Sequence, residues 1–182
     1  KSKAQRSYEY ANKLINLDVL TPLPIAYIQN SSFIRLKQSY YISEHLDYDF
    51  TFREISRDLS FNDSVNALKA FTRFTYNLHE KGINFLDHSP GNTLIKKDRS
   101  GYDFYLVDLN RMEFKQMTLL DRMKNFSRLS HSEDVVKIMS CEYAKCIGES
   151  DNYIYDLMWK EIMIFRSIVN RKRKLKSILK AS

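Results

Sequence analysis

The chain has 182 residues, 43% of them hydrophobic, and a formal net charge of +7. That is enough apolar content to bury a core as one domain or a two-lobed unit, while no apolar run reaches the roughly 18 residues of a membrane-spanning helix and no signal-peptide pattern opens the sequence. Cys141 and Cys146 fit neither a zinc site nor a disulfide framework, so a reducing compartment, the cytoplasm, with buried or inert thiols is expected. The positive balance favours an anionic partner without choosing among nucleotide, nucleic acid and anionic lipid.

Residues 2–17 carry Tyr8, Ala11, Leu14 and Ile15 at the spacing of a helix with one apolar face. Pro22 and Pro24 push the residues before them out of helical geometry. Residues 25–29 and 33–37 predict a hairpin around Asn30-Ser31-Ser32, with 39–43 as a third short strand. An acidic connector at 44–50 leads to a second helix near 52–59. The strongest helical pattern covers 62–81, with Val65, Leu68, Phe71, Phe74, Thr75 and Leu78 on one side and Gly82 as a left-handed stop. A short apolar strand at 83–86 precedes a polar loop. Residues 93–97 and 102–107 then form a hairpin turning at Asp98-Arg99-Ser100-Gly101. The stretches 119–129, 132–147 and 153–179 return to a period near 3.6, the second starting on Ser132-Glu133-Asp134 and the third capped by Asp151 or Asn152.

Three polar residues stand where apolar strands stop. Asp87 and Asn92 have the Asp-x-x-x-x-Asn spacing of a kinase catalytic loop, and Asp108 follows Tyr105-Leu106-Val107, where kinases hold magnesium. Phosphoryl transfer asks a protein for alignment and charge compensation rather than covalent chemistry. Asp87 would orient or accept the proton of the attacking hydroxyl. Asn92 and Asp108 would give oxygens to Mg2+, which needs few protein ligands beside water and nucleotide phosphates. Pro90 and Gly91 let the loop turn so that Asn92 faces back toward Asp87. These are also ordinary turn residues. The order of long helix, strand, loop, hairpin and Asp108 is what selects the kinase reading.

On these residues the chain resembles the lipopolysaccharide kinases of the Kdo/WaaP-like group, relatives of the protein-kinase fold that phosphorylate sugars of the lipopolysaccharide core. The likeness is carried by Leu78-His79-x-x-Gly82-Ile83, by Asp87-x-Ser89-Pro90-Gly91-Asn92, and by Val107-Asp108-Leu109-Asn110-Arg111. It implies an α+β, protein-kinase-like fold: mainly a helical large lobe at residues 46–182, with a truncated small-lobe remnant and hinge at residues 1–45. It implies an ATP- and Mg2+-dependent enzyme whose acceptor is a sugar hydroxyl of a lipid-linked saccharide. Residues 2–9 resemble the helix whose glutamate pairs with a phosphate-binding lysine, which makes Glu9 the candidate. Residues 40–46 resemble the hinge, so Glu44, His45 and Leu46 are the candidates to receive adenine on backbone groups.

Three departures from that pattern stand out. No G-x-G-x-x-G occurs, and only eight residues precede Glu9. With Lys rather than Met at position 1, the expectation is a fragment lacking most of the small lobe, its nucleotide affinity weak. Phe85-Leu86 replaces the His-Arg before the catalytic aspartate, which argues against control by activation-loop phosphorylation. Asp108-Leu109-Asn110 replaces Asp-Phe-Gly, with Asn110 expected to take the left-handed conformation that Asn tolerates.

The remaining polar residues have plain structural readings beside their functional ones. His88 is a phosphate contact or a local hydrogen-bonding partner, Arg111 a phosphate contact or a salt bridge, and His79 a packed helix end. Arg171-Lys172-Arg173-Lys174 with Lys176, after an amphipathic stretch at 159–169, is a solvated helix end or a peripheral contact with anionic lipid at the inner face of the cytoplasmic membrane. Nucleic acid is disfavoured, because no basic and aromatic residues alternate in a recognition motif. The rival to the enzyme is a catalytically inactive kinase-like binding module.

Overall fold

The computed structural model describes residues 1–32, 35–61, 63–99 and 101–181. Helix α1 (Lys3–Asn16) starts on Ser2, whose hydroxyl accepts from the Gln5 amide, and buries Ala4, Ser7, Ala11 and Leu14. Tyr8 is only half-buried and Ile15 is exposed, so the buried face is turned from the one that the apolar residues alone suggest. Strands β1 (Pro24–Ser32) and β2 (Arg35–Ser43) pair antiparallel, with Tyr27 opposite Tyr41 and Ile28 opposite Tyr40. Over the described residues β2 is one strand, not two short ones. Phe33 and Ile34, the start of the expected 33–37 strand, lie outside those residues. The Tyr27 ring meets Tyr8 of α1, whereas Ile28, Tyr40 and Ile42 on the other face of the ribbon are exposed.

The acidic connector leads to β3 (Phe50–Thr51), α2 (Phe52–Arg57) and α3 (Ser64–Glu80). Thr51 and Glu54 form a reciprocal capping box at the start of α2, which satisfies two backbone donors that a helix end leaves open. The buried stripe of α3 is Ala67, Leu68, Phe71, Thr72, Thr75, Leu78 and His79; Val65, expected inside, is exposed, and the expected first residue Asn62 lies outside the described residues. Then come β4 (Ile83–Phe85), the hairpin β5 (Thr93–Lys97) and β6 (Tyr102–Leu106), and β7 (Met112–Phe114). β3, β5 and β6 make one antiparallel sheet, and β4 pairs with β7. The hairpin runs in the expected register from Thr93 opposite Leu106 to Lys97 opposite Tyr102; Ser100 of its turn is outside the described residues.

Three helices complete the chain: α4 (Leu119–Phe126), α5 (Glu133–Ile147) and α6 (Asp151–Ala181). α4 ends three residues before the apolar pattern does, and the turn after it carries Arg128 back toward the loop that follows β4. Ser132 precedes α5 without capping it, so Glu133 and Asp134 in the first turn are left to oppose the helix dipole. Asp151 is the first residue of α6 rather than its cap. Both cysteine thiols are free and half-buried; a hydrogen bond to Asp151 raises the Cys141 pKa and burial raises that of Cys146, which suits the inert thiols expected.

Two apolar clusters hold these elements. The larger joins α2, α3, α4, α5 and α6 around Phe52, Phe71, Phe126, Tyr143 and Met158. The smaller joins Ala11 and Leu14 of α1 to Leu78, Ile83, Phe85, Leu106, Leu109 and Met112. α1 is thereby fixed against the strands that flank the polar loop.

Gly82 stops α3 as expected, at φ +68. A Cβ there would sit 2.8 Å from the Lys115 carbonyl oxygen, whereas at Gly148, φ +74, it would meet nothing within 4 Å. Gly148→Ala should therefore cost only the left-handed penalty, about 1–2 kcal/mol. Gly82→Ala should cost clearly more in the same urea titration, because backbone has to move as well. Equal losses would mean that the close approach to Lys115 is unimportant.

Candidate active site

β4 and β7 pair antiparallel with Phe85 opposite Met112, so the loop that leaves β4 and the one that enters β7 are neighbours. Two backbone hydrogen bonds then tie the loops together: the Leu86 amide donates to the Arg111 carbonyl at 3.1 Å, and the Val107 amide to the Asn92 carbonyl at 3.0 Å. Asp87 and Asp108 come from these two loops and line one cavity of about 610 Å³, with Lys3, Arg6 and Ser7 of α1, Tyr41 of β2, Asn110 and Arg111.

The Asn92 side chain donates through Nδ2 to the Asp87 carbonyl at 2.8 Å, the turn back toward Asp87 that Pro90 and Gly91 were expected to allow. With Nδ2 committed, its Oδ1 is the end that suits a cation. Asp108 is exposed, and its backbone, not that of Asn110, is left-handed, at φ +56. The expectation for Asn110 is thus corrected. Its Nδ2 donates to Asp108 Oδ1 at 2.6 Å, and its carbonyl accepts from Arg6 Nε at 3.1 Å, so it holds the turn from outside. Leu109 between them is buried beside Ala11 and Leu14 and anchors the turn. Asp108 and Asn92 together offer one carboxylate and one amide oxygen, a donor set that fits Mg2+ only as part of a shell completed by phosphates and water. Among the described residues no three His, Cys, Asp or Glu side chains cluster as a metal site of their own.

Asp87 is clasped by two arginines. Arg128 Nη2 lies 2.8 Å from Oδ1 while its Nη1 donates to the Leu86 carbonyl at 3.2 Å, and Arg111 Nη1 is 3.9 Å from Oδ2. Arg111 thus makes the salt bridge that was one of its two readings. Arg128 was not foreseen. Its signal in the sequence is weak, an arginine just past a helix end, and only the early stop of α4 carries it to Asp87.

Below the loop a buried polar chain runs through Asn125 of α4. Its Nδ2 donates to the Phe85 carbonyl at 2.9 Å and to Asn84 Oδ1 at 3.0 Å. The Phe85 carbonyl can only accept, so the amide orientation is fixed and Oδ1 accepts from both His88 Nδ1, at 2.8 Å, and His79 Nε2, at 3.2 Å. His79 Nδ1 then accepts from the Tyr143 hydroxyl at 2.8 Å. Burial pushes His79 down to about 3 and His88 down to about 4. His88 is therefore a neutral local partner packed on Phe71 and Phe85, the plainer of its two readings. His79 is more than a packed helix end: it links α3 to α5 and α4.

The expected nucleotide residues lie apart from this cavity. Glu9 bonds Lys1 Nζ at 2.7 Å and Gln5 Nε2 at 3.0 Å. It sits about 200° around the helix from Ser7, which does face the cavity. The face of α1 turned to the cavity thus carries Lys3 and Arg6 instead of a glutamate. At the expected hinge the Glu44 amide donates to the Leu23 carbonyl at 2.9 Å. The His45 ring pairs with Asp47 at 3.3 Å in solvent, and Leu46 is half-buried.

No family model and no curated protein matches the sequence. Among solved structures, one of WaaP in complex with acyl carrier protein aligns with a TM-score of 0.65 and 16% identity, covering 92% of this chain and 76% of that one. At that identity the likeness shows the fold alone, a mixed helix and strand architecture.

The buried histidines make stability depend on pH. In the unfolded chain each takes up a proton near pH 6.5; in the folded protein each stays neutral down to about 4 or about 3. The unfolded state binds more protons in between, so the stabilisation is full above pH 6.5 and is lost as pH falls toward 4. Urea unfolding should lose up to about 2–3 kcal/mol per pH unit near pH 5, the limit for two histidines. A flat profile from pH 7 to 5 would contradict the buried neutral pair.

Proposed function

We propose that this chain is the catalytic part of an ATP-dependent phosphotransferase that acts on a sugar hydroxyl of lipopolysaccharide or a related lipid-linked saccharide. The observation that carries the reading is the knitting of the two loops, Leu86 to Arg111 and Val107 to Asn92, which brings Asp87 and Asp108 to one cavity wall. The distant likeness to WaaP supports it. In this reading residues 1–45 serve as the small-lobe part and hinge, and residues 46–182 as the large lobe.

Asp87 holds the acceptor hydroxyl and takes its proton as the bond to phosphorus forms. Arg128 keeps the carboxylate in place through Oδ1. Asp108 and the Asn92 oxygen would hold Mg2+, which when bound neutralises charge on the transferring phosphoryl group. Lys3, Arg6 and Arg111 add positive charge around the same cavity. Glu44, His45 and Leu46 remain the proposed stretch for adenine, through their backbone groups. Glu9, already paired with Lys1, would have to exchange that partner to meet a phosphate-binding lysine.

A membrane-facing role for α6 belongs to the same proposal. No helix of the described residues is long and apolar enough to cross a membrane. α6 buries Ile154, Met158 and Ile162, then leaves the core. Beyond Ile162 its exposed apolar residues are Met163, Ile164, Ile168, Leu175, Ile178 and Leu179; all but Met163 recur on one side of the helix, which Arg171 interrupts and Lys172 and Lys174 flank. Trp159, expected in this stripe, instead stacks on Tyr155 beside the core. Such a helix suits the surface of an anionic bilayer.

Two measurements test these readings. In the natural full-length protein Asp87→Asn should lower single-turnover phosphoryl transfer to a lipopolysaccharide-type acceptor by about 10²–10⁴, with little change in Mg-ATP affinity. Asp108→Asn should weaken the Mg-dependent part of ATP binding as well, and Asn92→Ala should fall between, partly rescued by raised magnesium. A wild-type rate for Asp87→Asn would leave an inactive binding module in place of the enzyme. For the membrane, changing Arg171, Lys172, Arg173, Lys174 and Lys176 to Gln should reduce sedimentation with anionic vesicles, by about fivefold for each charge at low salt. Equal sedimentation by both forms would remove the lipid role of α6.

A further inference from the structure

We propose that the cavity on the far side of Asp87 is an oxyanion subsite, which holds a carboxylate or phosphate group carried by the phosphoryl acceptor. This rests on the reading of Asp87 as the group that receives the acceptor hydroxyl. The cavity, about 880 Å³, opens between α2, the loop 89–91 and the turn 128–132. Arg53, Arg57, Arg128 and His131 line it together with serines, and among the described residues no carboxylate does.

The local folding explains why the arginines face inward. α2 buries Phe52 and Ile55, which turns Arg53, Ser56 and Arg57, at spacings of three and four, onto the opposite face. Gly91 is not left-handed, and the group next to its Cα is the movable end of the Arg53 side chain. A Cβ there would lie 2.8 Å from Arg53 Nη2, so the guanidinium reaches over the loop that carries Asp87 and Asn92. Neither Arg53 nor Arg57 has an ion-pair partner among the described residues. Arg128 does, and its partner is Asp87. That ion pair joins the two cavities, Asp87 lining one and Arg128, with Arg53 and Arg57, the other. Guanidinium groups bind carboxylate and phosphate through paired N–H donors, and a concave site with one sign of charge concentrates such anions. An acceptor that carries an oxyanion beside its reacting hydroxyl would have the anion held by Arg53 and Arg57 and the hydroxyl directed to Asp87.

The test needs neither nucleotide nor turnover. Inorganic phosphate, galacturonate and galactose are titrated into the ¹⁵N-labelled protein, with the amides of Arg53, Ser89 and Gly91 followed by NMR. Phosphate or galacturonate should shift these resonances while galactose does not, and whichever anion acts names the group. The double variant Arg53→Gln, Arg57→Gln, whose changes are on exposed side chains, should keep its fold and weaken the anion about tenfold or more. Equal shifts with galactose, or an unchanged affinity in the double variant, would overturn the subsite. Transfer assays separate this from the kinase reading. If the natural protein phosphorylates neutral acceptors as well as their uronate counterparts, the subsite fails and the kinase stands. Anion binding at Gly91 that depends on Arg53 and Arg57, without transfer to any acceptor, supports the anion site and removes the kinase.

Discussion

The loop from Leu86 to Asn92 has no strand or helix of its own to satisfy its polar groups, and much of it is under cover. Unpaired buried backbone groups are costly; the loop's own turns and the segment before β7 meet most of them, while α4 and the turn after it take the Leu86 carbonyl and the side chains of Asp87 and His88. Asn125 takes the Phe85 carbonyl and both buried histidines, and Arg128 takes the Leu86 carbonyl and the Asp87 carboxylate. Everything else about the site follows from that clamp. It fixes where Asp87 lies, it hydrogen-bonds His88 in its buried place beside Phe71 and Phe85, and it lies between the two cavities.

The same economy explains the turn at Asp108. A left-handed aspartate is strained relative to glycine, and two things hold it. The Leu109 side chain is sunk in the smaller core, and the Asn110 amide bonds the Asp108 carboxylate. Arg6 of α1 then bonds the Asn110 carbonyl, so the helix is coupled to the loop by a hydrogen bond as well as by packing. A movement of α1 would be felt at Asp108 through this contact.

Periodicity and turn chemistry made the large elements legible. The long helix before Gly82, the Thr93 to Leu106 hairpin and the closing helices could be read because each repeats its own pattern over many residues. Asp87, Asn92 and Asp108 drew notice as polar residues at strand borders: β4 and β6 end shortly before the two aspartates, and β5 begins after Asn92. What could not be read were side chains whose role depends on a distant element: Asn125 and Arg128 act on residues some forty positions earlier. Face assignments were lost for a related reason. Glu9 was matched by local likeness, but whether it or Ser7 looks into the cavity is decided by which face of α1 packs on Leu78 and Phe85.

The distribution of charge carries the argument one step further. The excess of seven positive charges is not spread evenly. Part of it lies along the outer half of α6, and part of it surrounds the loop at Lys3, Arg6, Arg111, Arg128, Arg53 and Arg57. Exposed cations scattered over a surface would be screened within about 8–10 Å at physiological salt. Gathered in concave sites on either side of one aspartate, they act over the distance of a single bound molecule. Such a field concentrates anions on either side of that aspartate.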